Sequence, residues 1–325
     1  MTSVQIVDRK PEEYGKVAVL LGGYSAEREV SLSSGEAIYN ALVSRGIDTV
    51  KIDLKGNLYQ SLMSNDVDRV FIALHGRDGE DGVVQGFLQT IGMPYTGSNV
   101  ESSAVAMNKQ LSKQLWQKMG ILTANFVCIA QGEKVALEQA KNILATLGGV
   151  AFVKPVREGS SVGMTKVHDA NDLILALDLA HQYDDALIET YIKGKEYTVS
   201  ILDDRALPSI RLQTPRDFYD YEAKYKSKTT QYFCPSGLSD EDETMLRGLA
   251  ERAFKTLGCH GWGRIDFLRD ESSEKFYILE ANTVPGMTNT SLVPKAAAAD
   301  GMSFEQLVLR ILETSFEREK QNVKG

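Results

Sequence analysis

Four polar side chains near the C-terminus have the types and spacing to hold a charged ligand. In "GWGRIDF", Arg264 and Asp266 lie two apart, and in "KFYILEANTVPG", Glu280 and Asn282 do the same. Side chains on a strand alternate faces, so residues two apart share one. Arg264 and Asp266 then oppose Ile265 and Phe267, while Glu280 and Asn282 oppose Leu279 and Ala281. The intervening "RDESSE" is turn-like, which makes the two strands a hairpin. One face of it carries a guanidinium, two carboxylates and an amide. Carboxylates crowded together are costly unless something positive lies between them. Oxygen donors of this kind suit Mg²⁺, which completes its shell with water and substrate phosphates. The plain alternative is a solvated face with an Arg–carboxylate pair.

A metal of this kind invites a nucleotide, and "KPVREGSSVG" offers an anion site. Gly159 and Gly163 free the backbone so that successive N–H groups can converge, Ser160 and Ser161 add hydroxyls, and Lys154 can reach a phosphate. The spacing is not that of a P-loop, and a glycine-rich turn with no ligand is the plain alternative. Near the N-terminus, "LLGGYSAEREVS" lacks the G-x-G-x-x-G of a dinucleotide fingerprint, which disfavours a nicotinamide oxidoreductase. Glu27, Arg28 and Glu29 stand instead where a charged small molecule would meet the carboxyl edge of a sheet. His75, in "HGRDGEDG" after another strand, is a loop histidine or a substrate contact.

These segments need elements to hold them. The 325 residues exceed one ordinary core, and 43% apolar with 25% charged residues is globular composition. A net charge of -8 argues against a nucleic-acid backbone as partner. Three cysteines without a Cys-x-x-Cys pair suit a reducing compartment. No apolar run approaches the ~20 residues of a membrane span, and the charged start has no signal-peptide core. A soluble cytoplasmic protein is expected. Strands "KVAVLL", "DTVKIDL" and "RVFIAL" alternate with helical spacing, which predicts a Rossmann-like parallel sheet over residues 1–98. An α+β block over 99–192 follows the Gly/Pro/Ser-rich "GMPYTGSN" and contains the glycine loop. Residues 193–325 hold the hairpin and a long charged and aromatic stretch from about 213 to 231, a length often functional in compact domains.

Taken in order, "LLGGYSAEREVSLSSG", "HGRDGEDGVVQG", "KPVREGSSVGM", "YDYEAKY", "GWGRIDF" and "LEANTVPGMTNTSLVP" resemble the D-alanine–D-alanine ligase family, over about residues 16 to 316. The resemblance implies an N-terminal Rossmann-like (pre-ATP-grasp) domain followed by a two-part ATP-grasp fold, α/β and α+β. It implies that ATP phosphorylates one D-alanine and a second D-alanine's amine displaces the phosphate, for peptidoglycan precursors. Glu27 is expected to take the first ammonium and to form a hydrogen-bonded set with Ser160 and Tyr225, which makes the 213–231 loop a lid. Ser291 would fix the second carboxylate, and His75 would contact substrate. Arg264 and the Gly286 N–H would stabilise the oxyanion. Asp266, Glu280 and Asn282 are the implied ligands of two Mg²⁺ (or Mn²⁺). Lys109, Lys154 and Lys224 would face the phosphates, with Gly159, Ser160 and Ser161 in the loop around them. Glu189 to Ile192 would meet adenine and Glu196 the ribose. Thr190 stands where the family commonly has Lys. A homodimer is expected, with no nucleic-acid or membrane partner. The runner-up is a D-alanine–D-lactate ligase, disfavoured because depsipeptide-forming relatives depart at "YDYEAKY". A non-catalytic ATP-binding protein is disfavoured by the full set of polar residues.

Overall fold

The computed structural model describes residues 9–213 and 230–322. Tyr225 and Lys224, assigned above to the lid and the phosphates, lie outside the described residues.

A short 3-10 helix, Pro11–Tyr14, leads into β1 (Val17–Leu21), α1 (Arg28–Ser44), β2 (Thr49–Asp53), α2 (Leu58–Ser64), β3 (Arg69–Ile72) and α3 (Val83–Thr90). The three strands form a parallel sheet in the order β2-β1-β3. Every residue of β1 and β3 is buried, as a parallel sheet covered on both faces requires. The Rossmann-like outline read from the alternation is therefore present. Helices α4 (Val100–Met107) and α5 (Lys109–Lys118) follow, and each starts at an asparagine that accepts a backbone N–H, Asn99 from Ser102 and Asn108 from Leu111.

The second sheet is antiparallel, ordered β4 (Phe126–Ile129), β7 (Ala186–Thr190), β5 (Ala151–Pro155), β6 (Thr165–Val167). Helices α6 (Leu137–Thr146) and α7 (Ala170–Ala180) cover it, and their apolar stripes share a core with Val153 and Ile188. The glycine loop is the connection between β5 and β6.

The third sheet runs β11 (Gln231–Phe233), β10 (Ile210–Gln213), β8 (Gly194–Leu202), β12 (Trp262–Asp270), β13 (Phe276–Asn282), with β9 (Arg205–Ala206) paired to β8. It packs on α8 (Asp240–Thr256) and α5, where fully buried Trp116 donates its indole N–H to the Ala253 carbonyl at 3.1 Å. Helices α9 (Leu292–Ala299) and α10 (Phe304–Asn322) return to the core of the first sheet through Val293, Leu307 and Ile311.

The predicted hairpin forms, with Arg264 opposite Asn282 and Asp266 opposite Glu280. Its alternation is not strict. A bulge follows, and Phe267 pairs with Ile278, leaving Leu279 as the extra residue. Phe276 and Ile278 therefore join Ile265 and Phe267 in the core, whereas Leu279, expected on that apolar face, turns into a cavity. The bulge lets β13 begin as a core strand and end with its polar residues on the opposite face.

Candidate active site

Two cavities meet at the carboxyl end of the hairpin. The first, about 480 Å³, is walled by Glu27, His75, Glu80, Arg264, Asn282, Gly286 and Ser291. The second, about 120 Å³, is walled by Phe152, Lys154, Ser161, Glu189, Ile192, Glu196, Leu268 and Leu279. Lys109, Gly159 and Glu280 line both, and Asp266 lines the second. The described residues singled out in the sequence are thus gathered on two adjoining cavities, except Arg28, which pairs with Asp53 at 2.6 Å, and Gly163, which lines neither.

Glu27 is the residue before α1, and its carboxylate meets the glycine loop. Ser160 donates from Oγ to Glu27 Oε1 at 2.5 Å. Two members of the expected three-residue set therefore touch. Ser160 and Ser161 take φ of 50° and 60°, the left-handed region that costs a side-chain-bearing residue energy. Around them Lys109 donates to the Glu158 carbonyl at 2.5 Å, and Arg77 pairs with the Glu158 carboxylate at 2.6 Å. Both contacts tie the strained loop to residues before the second sheet.

His75 is buried. Its Nδ1–H donates to the Val284 carbonyl at 2.7 Å, since a carbonyl can only accept, and its Nε2 then accepts from Ser34 Oγ at 3.1 Å. Burial pushes its pKa down, and the Glu27 carboxylate opposes that only partly. Glu80, unremarked in the sequence although inside "HGRDGEDG", accepts from the N–H of Gly76 and of Val284, each at 2.9 Å. Burial, then repulsion from Glu27, pushes its carboxyl up to about 7.

Ser291 is the N-cap of α9 but makes no capping bond. Its Oγ instead accepts the Thr288 N–H at 3.0 Å. The helix N-terminus therefore points uncapped toward the first cavity, a setting suited to a carboxylate. A Cβ at Gly286 would lie 3.1 Å from Ser291 Oγ, so glycine keeps that wall close.

Asp266 is held on every side. Arg264 donates to both its oxygens at 2.8 Å, Thr198 Oγ1 to Oδ1 at 2.6 Å and Asn282 Nδ2 to Oδ2 at 3.1 Å. Lys109 Nζ lies 3.6 Å from Glu280 Oε2. Among the described residues no three His, Cys, Asp or Glu side chains gather as a metal site, because the third donor here is an amide. The set of Asp266, Glu280 and Asn282 is all oxygen and sits where the cavities join, which fits a hard cation.

Glu189, expected at adenine, accepts from Lys154 Nζ at 2.5 Å and pairs with Lys113 at 2.9 Å. Burial works to raise its carboxyl, but the two lysines outweigh it and hold the group at about 2. Lys113 escaped the sequence reading. Its only signal was its place four residues after Lys109, on the same helix face. Phe152 and Leu268 were also missed, since apolar strand residues carry no mark of which cavity they line.

The chain matches the family model described as D-ala D-ala ligase C-terminus over residues 115–313, and the one described as D-ala D-ala ligase N-terminus over 57–98. It is 52% identical over 310 residues to the D-alanine–D-alanine ligase of Idiomarina loihiensis, covering 95% of this chain and 100% of that one. It is 52% identical to that of Pseudoalteromonas atlantica over 303 residues, 93% and 95% of the two chains. Among solved structures it resembles the Bacillus anthracis D-alanine–D-alanine ligase complexed with ATP, with 32% identity, a TM-score of 0.82, and 95% and 99% of the chains covered. The Coxiella burnetii enzyme gives 27% identity, a TM-score of 0.79, and 95% and 97% coverage.

Proposed function

The chain belongs to the D-alanine–D-alanine ligase family, and from that premise we propose that it joins two D-alanines with ATP for peptidoglycan precursors, as an ATP-grasp carboxylate–amine ligase. The observation that carries this is the shared wall. A ligand in each cavity would meet across Lys109, Gly159 and Glu280.

ATP enters the second cavity. Phe152, Leu268, Leu279 and Ile192 give adenine an apolar slot, the chain at Glu189 to Ile192 lies along its edge, and Glu196 takes the ribose. Lys109, Lys154 and the loop of Gly159, Ser160 and Ser161 take the phosphates; Lys224 is proposed to join them. In the first cavity Glu27 binds the ammonium of the first D-alanine, and His75, neutral and fixed by Val284 and Ser34, shapes the site beside it. Ser291 and the N-terminus of α9 hold the second D-alanine's carboxylate.

A carboxylate oxygen of the first D-alanine attacks the γ-phosphorus, and the bond to ADP breaks. The second D-alanine, as its free amine, attacks the acyl carbon. The tetrahedral oxyanion faces Arg264 and the Gly286 N–H, then collapses and expels phosphate. Asp266, Glu280 and Asn282 would hold two Mg²⁺ (or Mn²⁺), which when bound neutralise phosphate charge. Tyr225 is proposed to complete the set with Glu27 and Ser160. We also propose a cytoplasmic homodimer with domains at 1–98, 99–192 and 193–325. Among the described residues no helix is long and apolar enough to cross a membrane. Phosphate release with ATP and Mg²⁺ tests the reading, comparing D-alanine, L-alanine and D-lactate as second substrate. Release and dipeptide with D-alanine alone are expected. No dipeptide defeats the proposal, and preference for D-lactate would favour the depsipeptide ligase.

A further inference from the structure

Lys113 has no exposed side-chain surface, and it walls neither cavity. Its ammonium lies 2.9 Å from Glu189 Oε2 and donates to Thr123 Oγ1 at 2.6 Å. Thr123 Oγ1 donates onward to the Ile278 carbonyl at 2.8 Å, two residues before Glu280. The other Glu189 oxygen accepts from Lys154 at 2.5 Å, and both of those residues face the second cavity. One carboxylate is thus shared by two buried ammonium groups.

A single Lys–Glu pair would satisfy both charges. The third charge makes the group net positive, and the only member open to a ligand on its cationic side is Lys154. Without Lys113, Glu189 and Lys154 would neutralise each other, leaving no surplus for an anion. We propose that Lys113 is a positioning residue for the nucleotide: by holding Glu189 Oε2 it leaves the Lys154 charge available to an ATP phosphate. Through Thr123 it also fixes β13 to the strand that carries Glu189. The pKa directions agree with this, since burial presses Lys113 down and Glu189 holds it up.

The inference rests on the second cavity being the nucleotide site. The test uses the wild type, Lys113→Met, Glu189→Gln and the double variant. It reads KM for ATP at saturating D-alanine, KM for D-alanine at saturating ATP, and the Kd of ADP by calorimetry. Lys113→Met is expected to raise both nucleotide constants about tenfold and to leave the D-alanine constant within about twofold. In the Glu189→Gln background the same Met substitution is expected to change the nucleotide constants less than about twofold, because the two residues act as one unit. The inference is overturned by an unchanged ATP constant in Lys113→Met. It is equally overturned by ATP and D-alanine constants rising together, or by the tenfold effect persisting without the Glu189 charge. If Lys113→Met does not fold, Lys113→Gln, which keeps a hydrogen-bond donor toward Glu189 and Thr123 without the charge, is read in its place with the same expected and overturning results. Wild-type protein that binds no ADP would defeat the nucleotide reading itself.

Discussion

Replacing Ser160 separates two effects that the glycine loop combines. Its hydroxyl donates to Glu27 at 2.5 Å, its own φ is 50°, and it is 7% exposed. A hydrogen bond to a charged acceptor contributes about 1.5–3 kcal/mol. At 1.36 kcal/mol per decade, Ser160→Ala is expected to lower kcat/KM for D-alanine about 10- to 150-fold. Ala keeps the left-handed backbone and its cost. Ser160→Gly loses the same bond but relieves about 1 kcal/mol of that cost, so it should be about fivefold more active than the Ala variant. Phosphate release at varied D-alanine and ATP measures both, and thermal melting checks that each variant folds. Ala kinetics equal to wild type would refute the bond to Glu27. Wild-type activity in the Gly variant would show that backbone conformation alone carries the effect.

Glu280→Gln should lower kcat at least about a hundredfold while ADP still binds, because Glu280 faces both cavities and lies beside Lys109; undiminished turnover would remove Glu280 from the reaction. Glu80 titrates near 7, so raising the pH through that value places a second carboxylate charge near Glu27. KM for the first D-alanine, bound by its ammonium, should therefore fall between about pH 6 and 8, and Glu80→Gln should flatten that limb. A limb that survives the substitution would assign it to another group. Because folding raises this pKa above its ordinary 4.5, the carboxyl's contribution to stability is full below 4.5 and is lost as pH rises through about 7.

The hairpin was legible because alternation places Arg264 with Asp266 and Glu280 with Asn282 without knowledge of the fold. The parallel sheet was legible because β1 is a continuous apolar run and β3 is one after Arg69. The bulge was not: it depends on pairing with β12, and nothing in "YILEAN" marks Leu279 as the residue that leaves the core. Lys113 reads as one lysine among several on a surface helix, and its burial follows only from Glu189 arriving on a distant strand. Glu80 was hidden for a similar reason, since its raised pKa comes from burial and then from Glu27, neither of which the sequence shows. Spacing pointed to a hard-cation site and an anion loop; ATP, the second Mg²⁺ and the two amino-acid subsites came from resemblance.

The contact between Ser160 and Glu27 has a thermodynamic consequence. It joins the wall of the first cavity, the proposed amino-acid site, to the loop that borders the second, the proposed nucleotide site. A ligand that binds better with this contact made biases the same element for the other. Linkage then requires that the factor by which bound nucleotide tightens D-alanine equal the factor by which bound D-alanine tightens nucleotide. The acyl phosphate needs both occupants, ATP for its phosphoryl group and D-alanine for its carboxylate, so the pair that reacts is also the pair this contact couples.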